Sequence, residues 1–451
     1  MNLKNKLVGV VSLGCDKNRV DTEVMLTYLR DEGIKFTADP KSAHIIIVNT
    51  CAFIESARKE AIETIAEMLR YKKIGNCEKL IVTGCMPQKY LNILQEEFPK
   101  VDVFIGIDDY SDIANIIKKS YESDKQFCVT HDADVVYHVK NRVTTTPMHY
   151  AYLKIADGCD NYCTFCTIPY IRGKYRSKKI SELVEEAQDL VHNGARELIL
   201  VAQDVTKYGI DLYGKINLVG LIKRLSKIEN LDWIRLLYCY PENVTKELLD
   251  EMVNNPKLVN YLDIPLQHIS DNVLKLMNRH VNEENTIKLI EKINSMPEKV
   301  YIRTTFMVGF PGETQADHDK LCKFIKKYKL AHVGFFEYSR EEGTVAAKMP
   351  NQVPQKVKHA WLKELIKIAE ENIKYNNKLL VGKTLDVIYE GIDYKKNLFF
   401  GRTEFMAPDV DTVVYFKSKD FIEVGNIYKI KITGSVGCDL KGEKLWIYQI
   451  N

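Results

Sequence analysis

Cys159, Cys163 and Cys166 lie within eight residues of one another, in ADGCDNYCTFCTIPY. The apolar run from Tyr150 to Ile155 ends just before them, so one short loop at a strand exit delivers three thiols to one place. Such a loop suits a metal centre. A cubane iron–sulfur cluster takes four ligands, so three cysteines leave one iron open to a small molecule, much as a catalytic zinc keeps one open position. Structural zinc is the competing reading. It asks for a fourth protein ligand, and the nearest histidines, His149 and His192, stand at no familiar zinc spacing from the triplet.

A second set of cysteines is dispersed. Cys15 follows VGVVSLG, Cys51 follows IIIVNT and Cys85 follows LIVTG. Strands are expected at 7–13, 44–48, 79–83 and 101–105, with helices at about 20–31, 56–71 and after Pro87. That alternation gives a parallel, doubly wound sheet over 1–125. The carboxyl ends of its strands form one crevice where ligands bind, so Cys15, Cys51 and Cys85 would meet there as a second metal site. Three separate buried thiols are the alternative, since free cysteine is a common core residue. That alternative must explain one shared topological position and the glycines Gly14 and Gly84 before two of them. Cys77, Cys128, Cys239, Cys322 and Cys438 show no convergence and read as packing residues.

The elements around the cysteine loop repeat the alternation. After a segment without periodicity, 126–147, read as a linker, strands are expected at 150–155, 197–202, 233–238, 261–264, 301–308 and 331–336. Helices are expected between them at 181–192, 218–227, 246–253, 271–279, 284–294 and 314–327. Six strand–helix units over 148–378 are too few for an eightfold barrel and enough for an open (βα)6 barrel, whose chemistry sits on the loops at the carboxyl ends of the strands. A long helix at 355–380 leads to 379–451, where TLDVIYEGI, NLFFGRTEF, TVVYF, IYKIKITGSV and KLWIYQI read as a small five-stranded antiparallel β-barrel. The fold class is therefore multidomain α/β.

Charge is nearly balanced, 64 Lys plus Arg against 61 Asp plus Glu, so general polyanion binding is not expected. Residues 381–451 carry ten of each sign, fewer cations than a nucleic-acid module usually has. The N-terminus is a poor signal peptide, no stretch reaches the eighteen or so apolar residues of a membrane span, and eleven cysteines without an export signal fit a reducing compartment. A cytoplasmic protein without a membrane partner is expected.

The cysteine loop, with Phe165 before its last cysteine, resembles the signature of the radical S-adenosylmethionine (SAM) superfamily. SLGCDKNRVDTE, NTCAFIESARKEA, LDIPLQHISDNVLKLMNR and RTTFMVGFPGET extend the resemblance over essentially the whole chain, to the radical SAM methylthiotransferases with their C-terminal TRAM barrel. The resemblance implies two [4Fe-4S] clusters. One sits on Cys159, Cys163 and Cys166, where SAM chelates the open iron and is cleaved to a 5'-deoxyadenosyl radical; the other, on Cys15, Cys51 and Cys85, handles sulfur. The tRNA-modifying branch has Gln-Met-Asn after its first cysteine, whereas Asp16, Lys17 and Asn18 stand here. That, with NTCAFIESA and the neutral barrel, resembles the ribosomal-protein branch, which implies methylthiolation of an aspartate β carbon in small-subunit ribosomal protein twelve. The implied partners are that protein or the small ribosomal subunit, a reductant such as flavodoxin or ferredoxin, and a sulfur donor. A tRNA methylthiotransferase and a non-catalytic iron–sulfur carrier or RNA binder are the other classes.

Gln203, Arg235, Gln267 and Arg303 stand at or near expected strand ends of the barrel, where they could hydrogen-bond SAM or merely cap strands, and Phe165 joins them as a candidate contact. No catalytic acid or base is singled out. GFPGET (309–314) reads as a tight turn with Glu313 near a helix start. The basic run Lys174, Arg176, Lys178 and Lys179 reads as a solvated face or a guide for an acidic or ribosomal partner.

Overall fold

The computed structural model describes residues 3–123, 125–330 and 332–445. Ile45–Thr50 (IIIVNT) and Lys79–Gly84 (KLIVTG) are buried at every position, as central strands of a sheet covered on both faces must be. They are β3 and β4 of a six-stranded parallel sheet. Its other strands are β1 (Leu7–Ser12), β2 (Lys35–Phe36), β5 (Val103–Ile105) and β6 (Phe127–Val129), in the order β2-β1-β3-β4-β5-β6. Four strands were legible from periodicity. The two further strands, of two and three residues, are too short to show any, and β6 falls inside the segment expected as a linker. The order reverses between β1 and β3, which opens a crevice at their carboxyl ends.

The rest of that segment is pinned rather than loose. Glu23 accepts from Thr145 N at 2.7 Å and from Thr145 Oγ1 at 2.9 Å, and it also pairs with Arg142. Arg142 is buried and reaches Glu186 of the next domain at 3.0 Å. An ion pair removed from water stabilises only where hydrogen bonds offset its desolvation, and the bonds made by Glu23 supply them here, so the crossing fixes the first sheet against the second.

The second sheet contains β7 (Tyr150–Lys154), β10 (Glu197–Val201), β11 (Trp233–Leu236), β12 (Leu258–Asp263), β13 (Tyr301–Val308) and β14 (His332–Glu337). All neighbours are parallel, in the order β14-β13-β12-β11-β10-β7, and the first and last strands do not pair, so the barrel is open. A two-stranded ribbon, β8 (Ala156–Asp157) against β9 (Arg176–Ser177), brackets the cysteine loop. Alternation divides the sheet. Leu153, Leu200 and Leu236 face the helices, while Tyr152, Ile199, Tyr261 and Tyr301 face inward.

The C-terminal barrel closes as β15 (Thr384–Asp393), β16 (Leu398–Arg402), β17 (Val414–Lys417), β19 (Asp439–Lys444) and β18 (Ile427–Val436), antiparallel as expected except where β17 meets β19 in parallel. Its fifth strand is DLKGEK and not the expected KLWIYQI, because Gly437, at φ +62°, turns β18 straight back into β19. Most of KLWIYQI, from residue 446, lies outside the described residues. The 403–411 loop of this barrel enters the inner face of the second sheet. Phe405 stacks on Tyr301 with centroids 4.0 Å apart, and Asp411 accepts from the Tyr261 hydroxyl at 2.6 Å. Glu197 lies between Arg235 (2.6 Å) and Arg402 (2.7 Å), all three buried. One end of the open barrel is thereby closed by the C-terminal domain. No helix among the described residues is long and apolar enough to cross a membrane.

Burial alone would raise the Glu197 pKa, but Arg235 and Arg402 outweigh it and hold the carboxyl at about 2. A depressed folded pKa contributes stability that is present above the unfolded value near 4.5 and is lost as pH falls toward 2. Glu197→Gln is expected to lower stability at pH 7 by about 3 kcal/mol or more, leaving two buried guanidinium groups without their carboxylate. Calorimetry from pH 7 to pH 3 should show the gap in melting temperature between wild type and variant narrowing at the acid end.

Candidate functional site

Each cysteine of the dispersed set begins or precedes a helix. Cys15 caps the helix Asp16–Asp31, Cys51 lies just before Glu55–Ile74, and Cys85 is the first residue of Cys85–Glu97. The first of these helices was expected four residues later, from Val20, because its first turn is polar. A helix N-terminus presents free N–H groups and the positive end of the macrodipole, which favours a thiolate over a thiol.

Two glycines let the three come together. Gly14 has φ +90°, and a Cβ there would lie 2.7 Å from Cys51 Cβ; Gly84 has φ +98°, and a Cβ there would lie 2.3 Å from Asn49 Oδ1. Asn18 then knits the strand exits, donating to Leu13 O at 3.1 Å and Thr50 O at 2.9 Å.

In the contiguous triad, Cys159 N donates to Gly173 O at 3.1 Å and Cys166 N to Cys163 O at 3.0 Å. Thr164 ties the loop to the end of the Asp271–Leu276 helix through Leu276 O at 2.8 Å. Arg279 approaches Cys163 Sγ at 3.8 Å and lies 4.2 Å from the centre of the Tyr240 ring.

Burial, with the neighbouring thiols, raises Cys51, Cys85, Cys159 and Cys166. Cys159 is pushed up to about 11 and Cys85 to about 12, the latter against the pull of Arg172. Buried thiols that cannot comfortably ionise together call for a cation, which is the chemistry of a metal-ligand set. Neither triad brings its three sulfurs within 4.8 Å of one another; the described residues contain only one such tight group, His318, Cys322 and Glu364. One zinc with 2.3 Å bonds at tetrahedral angles would draw thiolates to about 3.8 Å. A cluster of several irons spaces its thiolate ligands more widely than one zinc does. Cys322 itself contacts the His318 ring nitrogen at 3.4 Å, and Cys239 is fully buried in the helix-side core.

The two triads are joined by buried charge. Arg172, six residues past Cys166, donates to Asp21 at 2.8 Å, Asp157 at 2.9 Å and Asn18 at 2.7 Å, and lies 3.6 Å from Cys85 Sγ. Lys154 at the end of β7 donates to Asp157 at 2.9 Å and also pairs with Asp21. Burial works against the Asp157 charge, but Arg172 and Lys154 overcome it and hold its carboxyl far below the usual range. Just past β11, Tyr238 contacts Asp16 beside Cys15, at 3.3 Å, while Tyr240 lies against Arg279 beside Cys163. Tyr238 and Tyr240, two residues apart, thus touch the surroundings of one triad each.

Of the five candidate cofactor contacts, Gln203 donates to Asp157 at 2.8 Å, and its amide oxygen is buried without a protein partner. Gln267, at φ +68°, likewise keeps a buried unpartnered amide oxygen. Phe165 packs edge-on to Phe310. Arg235 does not join these. It lies within β11, where an inward side chain meets the 403–411 loop, and it bonds Glu197 and the Glu404 carbonyl at 2.7 Å. Arg303 pairs with Asp263 at 2.8 Å and Asp411 at 3.4 Å, on the same loop.

Lys178 is no solvated cation. It is buried on Glu186 at 2.9 Å, whereas Lys174 and Lys179 are exposed. Glu313 folds its own turn, accepting from Gly309 N at 2.6 Å and Phe310 N at 3.0 Å. Sequence reasoning missed Asp21, Lys154, Asp157, Arg172 and Arg279 as site residues. Asp21 and Arg279 do fall within SLGCDKNRVDTE and LDIPLQHISDNVLKLMNR, so a motif signal existed for them.

Three family models match in series: "Uncharacterized protein family UPF0004" over residues 7–106, the Radical SAM superfamily over 153–325 and the TRAM domain over 381–445. The ribosomal protein uS12 methylthiotransferase RimO of Clostridium tetani is 46% identical over 434 residues, 96% of this chain and 97% of that protein. The RimO protein of Clostridium kluyveri is 46% identical over 437 residues, again 96% and 97%. Among solved structures, the radical SAM methyltransferase TsrM from Kitasatospora setae, with tryptophan and a SAM analogue bound, aligns with a TM-score of 0.54 at 14% identity over 73% of each chain. That likeness is one of fold.

Gly84→Ala puts a Cβ into Asn49 Oδ1 and Thr50 O and strains a left-handed backbone. After anaerobic reconstitution its iron content is expected to fall to that of a variant lacking Cys15, Cys51 and Cys85. Iron at the wild-type level would show that the turn does not set the triad.

Proposed function

The chain belongs to the RimO family of ribosomal protein uS12 methylthiotransferases, and from that premise we propose that it methylthiolates the β carbon of an aspartate in uS12. The observation that carries this reading is the pair of cysteine triads linked through the buried charges of Asp21, Lys154, Asp157 and Arg172, with Arg172 reaching Cys85. The radical SAM domain implies SAM and a [4Fe-4S] cluster, which we assign to Cys159, Cys163 and Cys166; a second [4Fe-4S] cluster is assigned to Cys15, Cys51 and Cys85.

These cofactors, when bound, supply hydrogen-atom abstraction from an unactivated carbon at one triad and a methylated sulfur at the other, with one SAM as methyl donor and another as radical source. This chain's residues do the rest. The Gln203 and Gln267 amide oxygens are suited to accept from the ammonium or hydroxyl groups of SAM, and Phe165 supplies an apolar wall beside the cysteine loop. Arg279 and Arg172 donate toward Cys163 and Cys85, tempering negative charge on sulfur. Tyr238 and Tyr240 line the gap and keep water from it.

In this reading residues 1–125 handle sulfur, 126–147 cross over, 148–378 form the radical domain and 379–451 the TRAM domain. A reductant of the flavodoxin or ferredoxin type and a sulfur donor act with it in the cytoplasm.

Mass spectrometry after anaerobic reconstitution, with SAM, reductant and sulfide added to small ribosomal subunits, should find a methylthio gain on one uS12 aspartate and none on unmodified tRNA. Gain on tRNA alone would move the substrate to the other branch. Cys85→Ala should abolish the uS12 product while 5'-deoxyadenosine still forms, and retained product would refute the role given to its triad.

A further inference from the structure

A side-chain carboxylate entering this crevice needs a cation to receive it, because an unpaired carboxylate in a dry site is costly. Most cations there are already engaged. Lys154 and Arg172 face Asp21 and Asp157, Arg303 faces Asp263 and Asp411, and Arg279 lies between Cys163 and the Pro265 carbonyl at 3.2 Å.

Lys17 is placed differently. It stands two residues past Cys15, in the first turn of its helix, and is only 7% exposed. Its ammonium lies 2.8 Å from Asp16 Oδ1 and 3.2 Å from the centre of the Tyr238 ring. An ammonium has three donors, and two directions are thereby taken. The third meets no acceptor among the described residues. Asp16 pairs with Lys17 as the other carboxylates pair with their cations, but it meets only one of the three ammonium donors, and its Oδ1 is shared with Lys17 N at 2.8 Å and the Tyr238 hydroxyl at 3.3 Å. Asp16 and Tyr238 hold the ammonium in one orientation at low entropic cost. Tyr238 is itself fixed, its backbone at φ +62° and its N–H on Asp263 at 3.0 Å.

We propose that Lys17 binds the side-chain carboxylate of the target aspartate and so determines specificity for an acidic residue. This rests on the reading of the chain as a uS12 methylthiotransferase. The carbon to be modified is one bond from that carboxylate, so a charge-assisted hydrogen bond of about 2.8 Å puts it roughly 4 Å from the lysine nitrogen. A cation next to Cys15 thereby holds the reacting carbon near the sulfur-handling triad, where the new C–S bond must form. Lys89, one turn past Cys85, is the other candidate, its ammonium buried without a hydrogen-bond partner, but it lies 4.6 Å from the centre of the Tyr90 ring and its charge reaches Cys166.

The test compares uS12 carrying Asp with uS12 carrying Asn at the target position, using reconstituted holoenzyme and mass spectrometry of the product. One charge-assisted hydrogen bond corresponds to about 10- to 100-fold in rate at limiting substrate. Wild type is expected to prefer Asp by such a factor. Lys17→Met is expected to lose a similar factor on the Asp substrate, mainly through KM, and to bring the Asp-to-Asn ratio near one. Its iron content and its formation of 5'-deoxyadenosine should stay at wild-type levels, and Lys17→Arg should restore part of the ratio.

A Lys17→Met enzyme that keeps the wild-type ratio overturns the assignment, as does a collapse of the ratio in Lys89→Met instead. Where Lys17→Met fails to hold iron, Lys17→Arg carries the test, because it keeps the charge but moves the donors: an altered ratio supports the assignment and an unchanged one overturns it. If the wild-type enzyme cleaves SAM and leaves uS12 unmodified, the functional reading fails and the assignment fails with it; a modified uS12 with no Asp preference sinks the assignment alone.

Discussion

Asp21, Lys154, Asp157 and Arg172 form two anions and two cations in a region that water does not reach, each no more than 6% exposed at the side chain. Taking one such ion out of water costs several kcal/mol, recovered only while every partner is in place, so removing any one leaves an uncompensated charge in the interior. Asp21 comes from the first sheet's helix and the other three from the second domain. The tetrad is therefore satisfied at one relative placement of the two domains. In that placement Arg172 reaches the Cys85 sulfur, and Asp157 orients Gln203 beside the other triad. The distance between the two cysteine sets is thus held by electrostatics that tolerate little sliding.

The opposite end of the open barrel obeys the same rule. Glu197 takes Arg235 from its own sheet and Arg402 from the C-terminal domain, and the 403–411 loop fills the space beneath with Phe405 and Asp411. An incomplete six-stranded barrel has an unfilled interior, and here a neighbouring domain supplies the filling that two more strands would otherwise provide. A C-terminal barrel whose 403–411 loop docks on protein has no need of surplus positive charge, and it carries ten cations against ten anions. Glu341, just beyond β14, adds a second brace to the first domain, accepting from Glu55 N at 3.0 Å and pairing with Arg58 at that helix start.

The three-layer order of the chain was legible because long strands carry a periodic signal and helices between parallel strands leave few arrangements. β2 and β6 were not, since two or three residues hold no period. The shared position of Cys15, Cys51 and Cys85 just past three strand ends was legible because strand ends in a parallel sheet share one edge. Arg235 was misjudged for a related reason: spacing locates a residue near a strand end within a position or two, whereas inward or outward direction, and what fills the interior, depend on the C-terminal loop at Glu404, 169 residues further on. The charge tetrad could not be read at all. Nothing local in Asp21 or Lys154 distinguishes a buried ion from a solvated one; only the docking of two domains does.

The helix Asp16–Asp31 shows why so long a motif surrounds Cys15. Eleven of its sixteen residues are buried, far more than the single apolar stripe of a surface helix requires. Its turns divide the work. Asn18 and Asp21, three apart and so on one face, meet Arg172; Asp16 and Lys17 meet Tyr238; Glu23 and Thr27 hold the crossing segment at Thr145 and Val143. A helix with a different partner on each face cannot rotate or shift to absorb a substitution. Every polar residue in SLGCDKNRVDTE from Asp16 to Glu23 that makes such a contact therefore acts on the position of Cys15, which is why the ligand, the proposed carboxylate anchor and the interdomain brace occupy seven consecutive positions of one chain segment, 15–21.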